Sequence, residues 1–73
     1  MENEYEYERA LIFLERKILV HISRKDGFWC NGILLEVGPS FIVIKDKEGG
    51  KEHFIFFEEL KHPIEPFKED KGK

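Results

Sequence analysis

Cys30, His21, His53 and His62 are the side chains of this sequence that could act as nucleophile, general base or soft metal ligand. Their spacing matches neither use. No pair stands at the short intervals at which zinc-binding motifs place ligands, and short strands rarely bring all four together. Gly49-Gly50 lacks the Lys-Ser/Thr and helix that follow a phosphate loop. The acidic residues near the amino terminus read as a solvated helix face. No enzymatic activity, metal or other cofactor is therefore expected.

Binding chemistry is better represented. Lys61-His62 offers a cation for a phosphate beside an imidazole that can stack on a base or hydrogen-bond to it. Phe41, next to the Gly38-Pro39-Ser40 turn, offers a stacking surface, although its position at the start of a strand suits a core residue better. Arg24 and Lys25 in an early turn can reach backbone phosphates, as any charged hairpin can. Trp29 reads as a buried barrel residue in preference to a partner-facing anchor.

Charge limits how such groups would work. The net charge is −3, and all of it falls in residues 1–16, where five Glu face Arg9 and Arg16. The remaining 57 residues balance. No broad basic field exists to attract a polyanion from a distance, so nucleic-acid binding must rest on local groups or on a ring that gathers them. Glu and Lys dominate while Gln and Thr are absent, a bias shared with hyperthermophile proteins.

The elements that position these residues follow from pattern. Asn3 and Glu6 have capping-box spacing. Acids near the start and Arg9, Arg16 and Lys17 near the end complement a helix dipole over residues 4–15. Tyr7, Leu11, Leu14 and Ile18 supply its apolar stripe. Beyond it the period changes to two. Strands are expected at 18–23, 28–37, 41–46, 53–57 and 64–67, with turns at Lys25-Asp26-Gly27 and Lys47-Glu48-Gly49-Gly50 and a 3₁₀ turn at 58–61. Gly32 marks a sharp bend, and Pro63 and Pro66 put the last strand at an edge. The fold class is mainly β: an N-terminal helix and a five-stranded, strongly bent antiparallel barrel. Residues 1–67 form one domain, and 68–73 a charged tail.

A 73-residue domain lies near the lower size limit for a self-sufficient core. With one cysteine it has no internal disulfide, which suits a reducing, cytoplasmic setting. Residues 41–44 and 54–57 are nevertheless apolar on both faces. That excess points to self-association, with Phe54, Ile55, Phe56, Phe57 and Ile64 as interface candidates.

Leu11-x-x-Leu14, Ile18-x-Val20-x-Ile22, Asp26-Gly27 and, four residues later, Gly32-x-Leu34, followed by apolar 41–44, resemble the Sm-like family of Sm, LSm and Hfq proteins. The resemblance spans residues 11–67. It implies a ring in which the fourth strand of one subunit pairs with the fifth of the next, binding single-stranded RNA. Two family features are missing. Gly38 stands where the loop Asp would be, and Ile42 or Phe41 where the Asn would be. Lys61-His62 replaces an Arg-Gly step and resembles the Lys-His pair of Hfq. The Phe57-Glu58-Glu59-Leu60 turn looks more like other SH3-like barrels, including the second domain of the ribosome maturation factor RimP. The alternative is therefore an SH3-like protein-interaction module that ignores nucleic acid.

Overall fold

A computed structural model describes residues 4–67. The Asn3 cap and the 68–73 tail lie outside the described residues. Helix α1 runs Glu4–Arg16, with Glu4 and Glu6 in its first turn and Arg16 in its last. It ends without glycine. Lys17 takes φ 54°, its N–H donates to Leu14 O at 3.2 Å, and the Ile18 N–H donates to Phe13 O at 3.0 Å. This paired arrangement satisfies two helix-end carbonyls and turns the chain toward the first strand.

The helix packs on the sheet through Ala10 and Phe13, with Tyr7 and Leu14 beside them. This corrects the expected stripe: Leu11 sits at its margin, half-buried. Ala10, fully buried, has no bulk to hold the helix axis off the strands, so the contact centres there. Arg9 ties the helix to the far end of the chain by donating to Ile64 O at 2.6 Å.

The strands are β1 (Leu19–Ser23), β2 (Trp29–Val37), β3 (Phe41–Asp46), β4 (Glu52–Phe56) and β5 (Glu65–Pro66), with a 3₁₀ turn at Phe57–Glu59 between the last two. All pairings are antiparallel, in the order β4-β3-β2-β1-β5. The sheet is strongly bent but not closed. Two features of β2 bend it. A Cβ on Gly32 would collide with the Lys45 carbonyl of β3, so only glycine permits the close backbone approach there. A bulge between Leu34 and Glu36 turns Leu35 outward, 44% exposed, and adds local twist.

The concave face holds Val20, Ile22, Cys30, Leu34, Ile42, Ile44, Ile55, Phe57, Leu60 and Ile64, and the helix covers part of it. No polar or charged residue is buried among the described residues. Pro66 pairs with Val20 in β5, while the Phe67 N–H donates to Leu19 O. In that register the Pro66 nitrogen faces away from β1, and its missing N–H breaks no bond inside the sheet.

Candidate nucleic-acid interface

The Arg24–Phe28 turn fixes which side chains of β1 and β2 meet. The Arg24 N–H donates to Phe28 O at 2.7 Å, and Gly27 adopts φ 100°. The register then sets His21 opposite Asn31 and Ser23 opposite Trp29 on the convex face. His21 Nδ1 donates to Asn31 Oδ1 at 2.6 Å, and its Nε2 lies 3.4 Å from Ser23 Oγ, which donates in this tautomer. The Asn31 amide nitrogen keeps its own donors for another partner.

Trp29 is 61% exposed, its ring tilted beside His21 at a centroid distance of 6.1 Å. The expected burial is thus corrected: the ladder pairs Trp29 with Ser23 on the convex face, while its neighbour Cys30 turns into the core. Around these residues an open cleft of about 500 Å³ is completed by Arg24, Gly27, Lys61 and Phe67. An aromatic plane, amide donors and an ammonium group border one cavity. Those are the groups that stack on a base, read its edge and hold a phosphate.

Lys61 and His62 share a small cleft of about 210 Å³ with Glu6, Phe57, Leu60 and Pro63, and each also lines a larger one that the other does not. Lys61 borders the Trp29 cleft, and its backbone N–H donates to Ser23 O at 2.8 Å. His62 lines a different cleft, of about 360 Å³, with Tyr5, Arg9, Pro63, Ile64 and Glu65. The first-turn cations also differ from each other. Arg24 makes a two-point contact with Asp26, at 2.6 and 3.2 Å, and lies over the Phe28 ring. The Asp26 hydrogen bond raises the Arg24 pKa; the Arg24 and Phe28 N–H bonds hold the Asp26 carboxyl below its usual range. Arg24 is therefore largely committed within the turn, whereas Lys25 is exposed.

Gly38 and Phe41 form a tight unit instead of a base reader. The Gly38 N–H donates to Phe41 O at 2.8 Å, and a Cβ on Gly38 would strike the Phe41 ring. Phe41 is half-buried, outside the core, stacked on Phe54. Of the five interface candidates, Phe54 and Phe56 are exposed at 53% and 42%. Ile55, Phe57 and Ile64 are core residues, because chain direction turns their side chains inward. Any contact they make with a partner must run through backbone or through their exposed neighbours.

Sequence reasoning misses the cleft's composition. His21, Ser23, Asn31 and Phe67 carry no binding motif of their own, although counting outward from the Asp26-Gly27 turn pairs His21 with Asn31.

The bent five-stranded sheet capped by an N-terminal helix is the Sm-like fold. Among solved structures, the chain is similar to the crystal structure of Hfq, described as a pleiotropic translational regulator. The TM-score is 0.70 at 17% identity, covering 81% of this chain and 95% of that one. No protein-family model and no curated protein sequence matches the chain. No helix among the described residues is long and apolar enough to cross a membrane.

Proposed function

We propose that this chain is a cytoplasmic Sm-like RNA-binding protein that assembles into a homo-oligomeric ring and binds single-stranded RNA without catalysis. The observation that carries the reading is the open sheet: among the described residues β4 and β5 are its two terminal strands, each with an unpaired edge. Edges of this kind are ready to pair with another chain, and natural proteins rarely leave them bare. A β4 edge that meets the β5 edge of a second copy is a head-to-tail contact, which closes into a ring when the rotation allows. Exposed Phe54 and Phe56 flank the β4 edge and supply apolar area for that joint.

RNA enters through the convex cleft. Trp29 stacks a base, the Asn31 amide donates to a base edge, and Lys61 neutralises a phosphate. A ring repeats that set once per subunit, so modest local contacts act together. The likeness to Hfq supports the direction of this reading through the fold.

A second reading keeps the same barrel as a protein-interaction module with no affinity for nucleic acid. Phe41 favours it: its ring lies against Gly38 and stacks on Phe54, so that face of the ring is already taken.

Light scattering combined with RNA titration separates the two. The ring predicts a mass of several chains, binding of labelled oligouridine or oligoadenine, and affinity that falls as salt rises. The double variant Lys61→Ala, His62→Ala weakens that binding, with most of the loss due to Lys61. A monomer that binds neither oligonucleotide at low salt removes the ring reading and leaves the interaction module.

A further inference from the structure

The amino end of β2, the carboxyl end of β3 and the amino end of β4 meet at one end of the sheet. Each contributes one residue of metal-ligating type: Cys30, Asp46 and His53. The thiol sulfur, a carboxylate oxygen and an imidazole nitrogen all lie within 4.8 Å of one another. Asp46 Oδ1 is occupied, accepting the Glu48 N–H at 2.8 Å, while Oδ2 points to His53 Nε2 at 3.8 Å. The His53 ring leans on Phe28, with centroids 4.9 Å apart. Cys30 is 2% exposed, whereas the Asp46 and His53 side chains are each 22% exposed. The cluster is thus dry on one side and open to water on the other.

We propose that Cys30, Asp46 and His53 form a binding site for a divalent transition-metal ion of the zinc class, with water as the fourth ligand. Zinc bonds of about 2.0–2.3 Å place tetrahedral ligand atoms roughly 3.3–3.8 Å apart, so the set closes on an ion with movements of about 1 Å. A thiolate, an imidazole and a carboxylate together suit zinc or cobalt, and a set containing one sulfur and one nitrogen does not suit magnesium or calcium.

Each residue also has an ordinary occupation: Cys30 as a small core residue, Asp46 as a turn cap, His53 packed on Phe28. Those occupations account for the residues singly and leave their convergence from three strands unaccounted for. The physical return is a staple. A core this small gains from a cross-link, and this one ties together the neighbouring strands β2, β3 and β4 at one end of the sheet. Spacing along the chain sets Cys30 beside His21, His53 and His62 and predicts no metal, because it counts the wrong partners. Asp46 replaces His21 and His62, and pairing across β3 brings it to Cys30 and His53.

Cobalt(II) chloride titrated into the reduced full chain tests this directly. Cys30 is the sole cysteine, so a thiolate-to-cobalt charge-transfer band can come from no other residue. The expected result is an equimolar end point with that band, bleached by added zinc. Cys30→Ala and His53→Gln abolish the band, and His21→Gln with His62→Gln leaves it unchanged. Circular dichroism checks that each variant folds. In case Cys30→Ala does not, zinc chloride should still raise the Tm of the unaltered chain and not that of His53→Gln. Absence of the band in the unaltered chain, or an equal zinc-induced Tm rise in His53→Gln, overturns the site.

Discussion

Phe41 and Phe54 lie ring on ring, centroids 4.7 Å apart and planes 14° from parallel, and Phe56 meets Phe54 edge-on at 5.1 Å. The stack covers the convex side of β3 and β4, along one of the sheet's two free edges. Phe54 and Phe56 are substantially exposed, so charge can be added there without entering the core. If the proposed ring forms, the double variant Phe54→Glu, Phe56→Glu should reduce it to a monomer in light scattering while its circular dichroism stays unchanged. Ile55→Ala, between them in sequence, acts differently. It empties a fully buried site and should lower stability by about 2–5 kcal/mol. An oligomer whose mass is unchanged by the double glutamate variant would place its joint away from the aromatic face.

Trp29 is the only tryptophan and stands in the convex cleft, so it is a ready reporter and, under the proposed function, the anchor for a base. Its fluorescence should be quenched when a base stacks on it. Stacking contributes about 1–3 kcal/mol per base, so Trp29→Ala should weaken oligonucleotide binding by roughly fivefold to 150-fold. Because the ring is exposed, the substitution should leave Tm nearly unchanged. Oligoadenine bound equally well by Trp29→Ala would remove Trp29 from the proposed RNA site.

At Gly32 the backbones of β2 and β3 come too close for any side chain. Gly32→Ala forces the Lys45 carbonyl aside and should cost about 1–3 kcal/mol, as overpacking of a well-filled site does. For a domain of this size each kcal/mol corresponds to about 4–8 °C in Tm. Thermal melting should therefore show a fall of at least about 4 °C. The variant should also straighten the bend, which weakens assembly if neighbouring edges must meet at a fixed angle.

Gly32 was legible in the sequence because a glycine interrupting a strand pattern marks a bend or a close backbone approach. So were the succession of strands along the chain, the helix and the edge position given to Pro66, since each follows from a local period or a missing donor. Trp29 was not. Size and apolarity argue for burial, and only the ladder register, counted from the Asp26-Gly27 turn, shows that it shares a face with His21 and Asn31. The Cys30–Asp46–His53 cluster was hidden for another reason. Its members are 16 and 7 residues apart in sequence, and they meet only because β3 lies between two antiparallel neighbours. Spacing rules that find ligands on one hairpin or one helix do not reach that arrangement.

The helix end shows a third kind of illegibility. Lys17 holds the left-handed conformation usually given to glycine, so the sequence carried no stop signal there. A side chain in that region costs about 1–2 kcal/mol, partly offset in a glycine variant by greater freedom of the unfolded chain. Lys17→Gly should accordingly stabilise the fold by up to about 1 kcal/mol in chemical denaturation. A loss of stability would imply that the Lys17 side chain makes a contact worth more than the backbone strain.

The first turn supplies a pH dependence with a definite sign. Arg24 and the Phe28 N–H both bind the Asp26 carboxylate, at 2.6 Å and 3.0 Å, and hold its pKa below the ordinary value of 3.8. A carboxyl depressed in the folded state contributes stability above its unfolded pKa and loses it as pH falls through the folded one. The turn should therefore keep its geometry at neutral pH and loosen only in acid below pH 3.8. Carboxyl NMR titration should place the Asp26 midpoint below that of an unpaired aspartate, and Arg24→Ala should move it up. Both groups are solvent-exposed, so salt should shrink the shift, and the accompanying change in stability should be small. A midpoint unmoved by Arg24→Ala would assign the depression to the Phe28 N–H alone and leave Arg24 available to the cleft it borders.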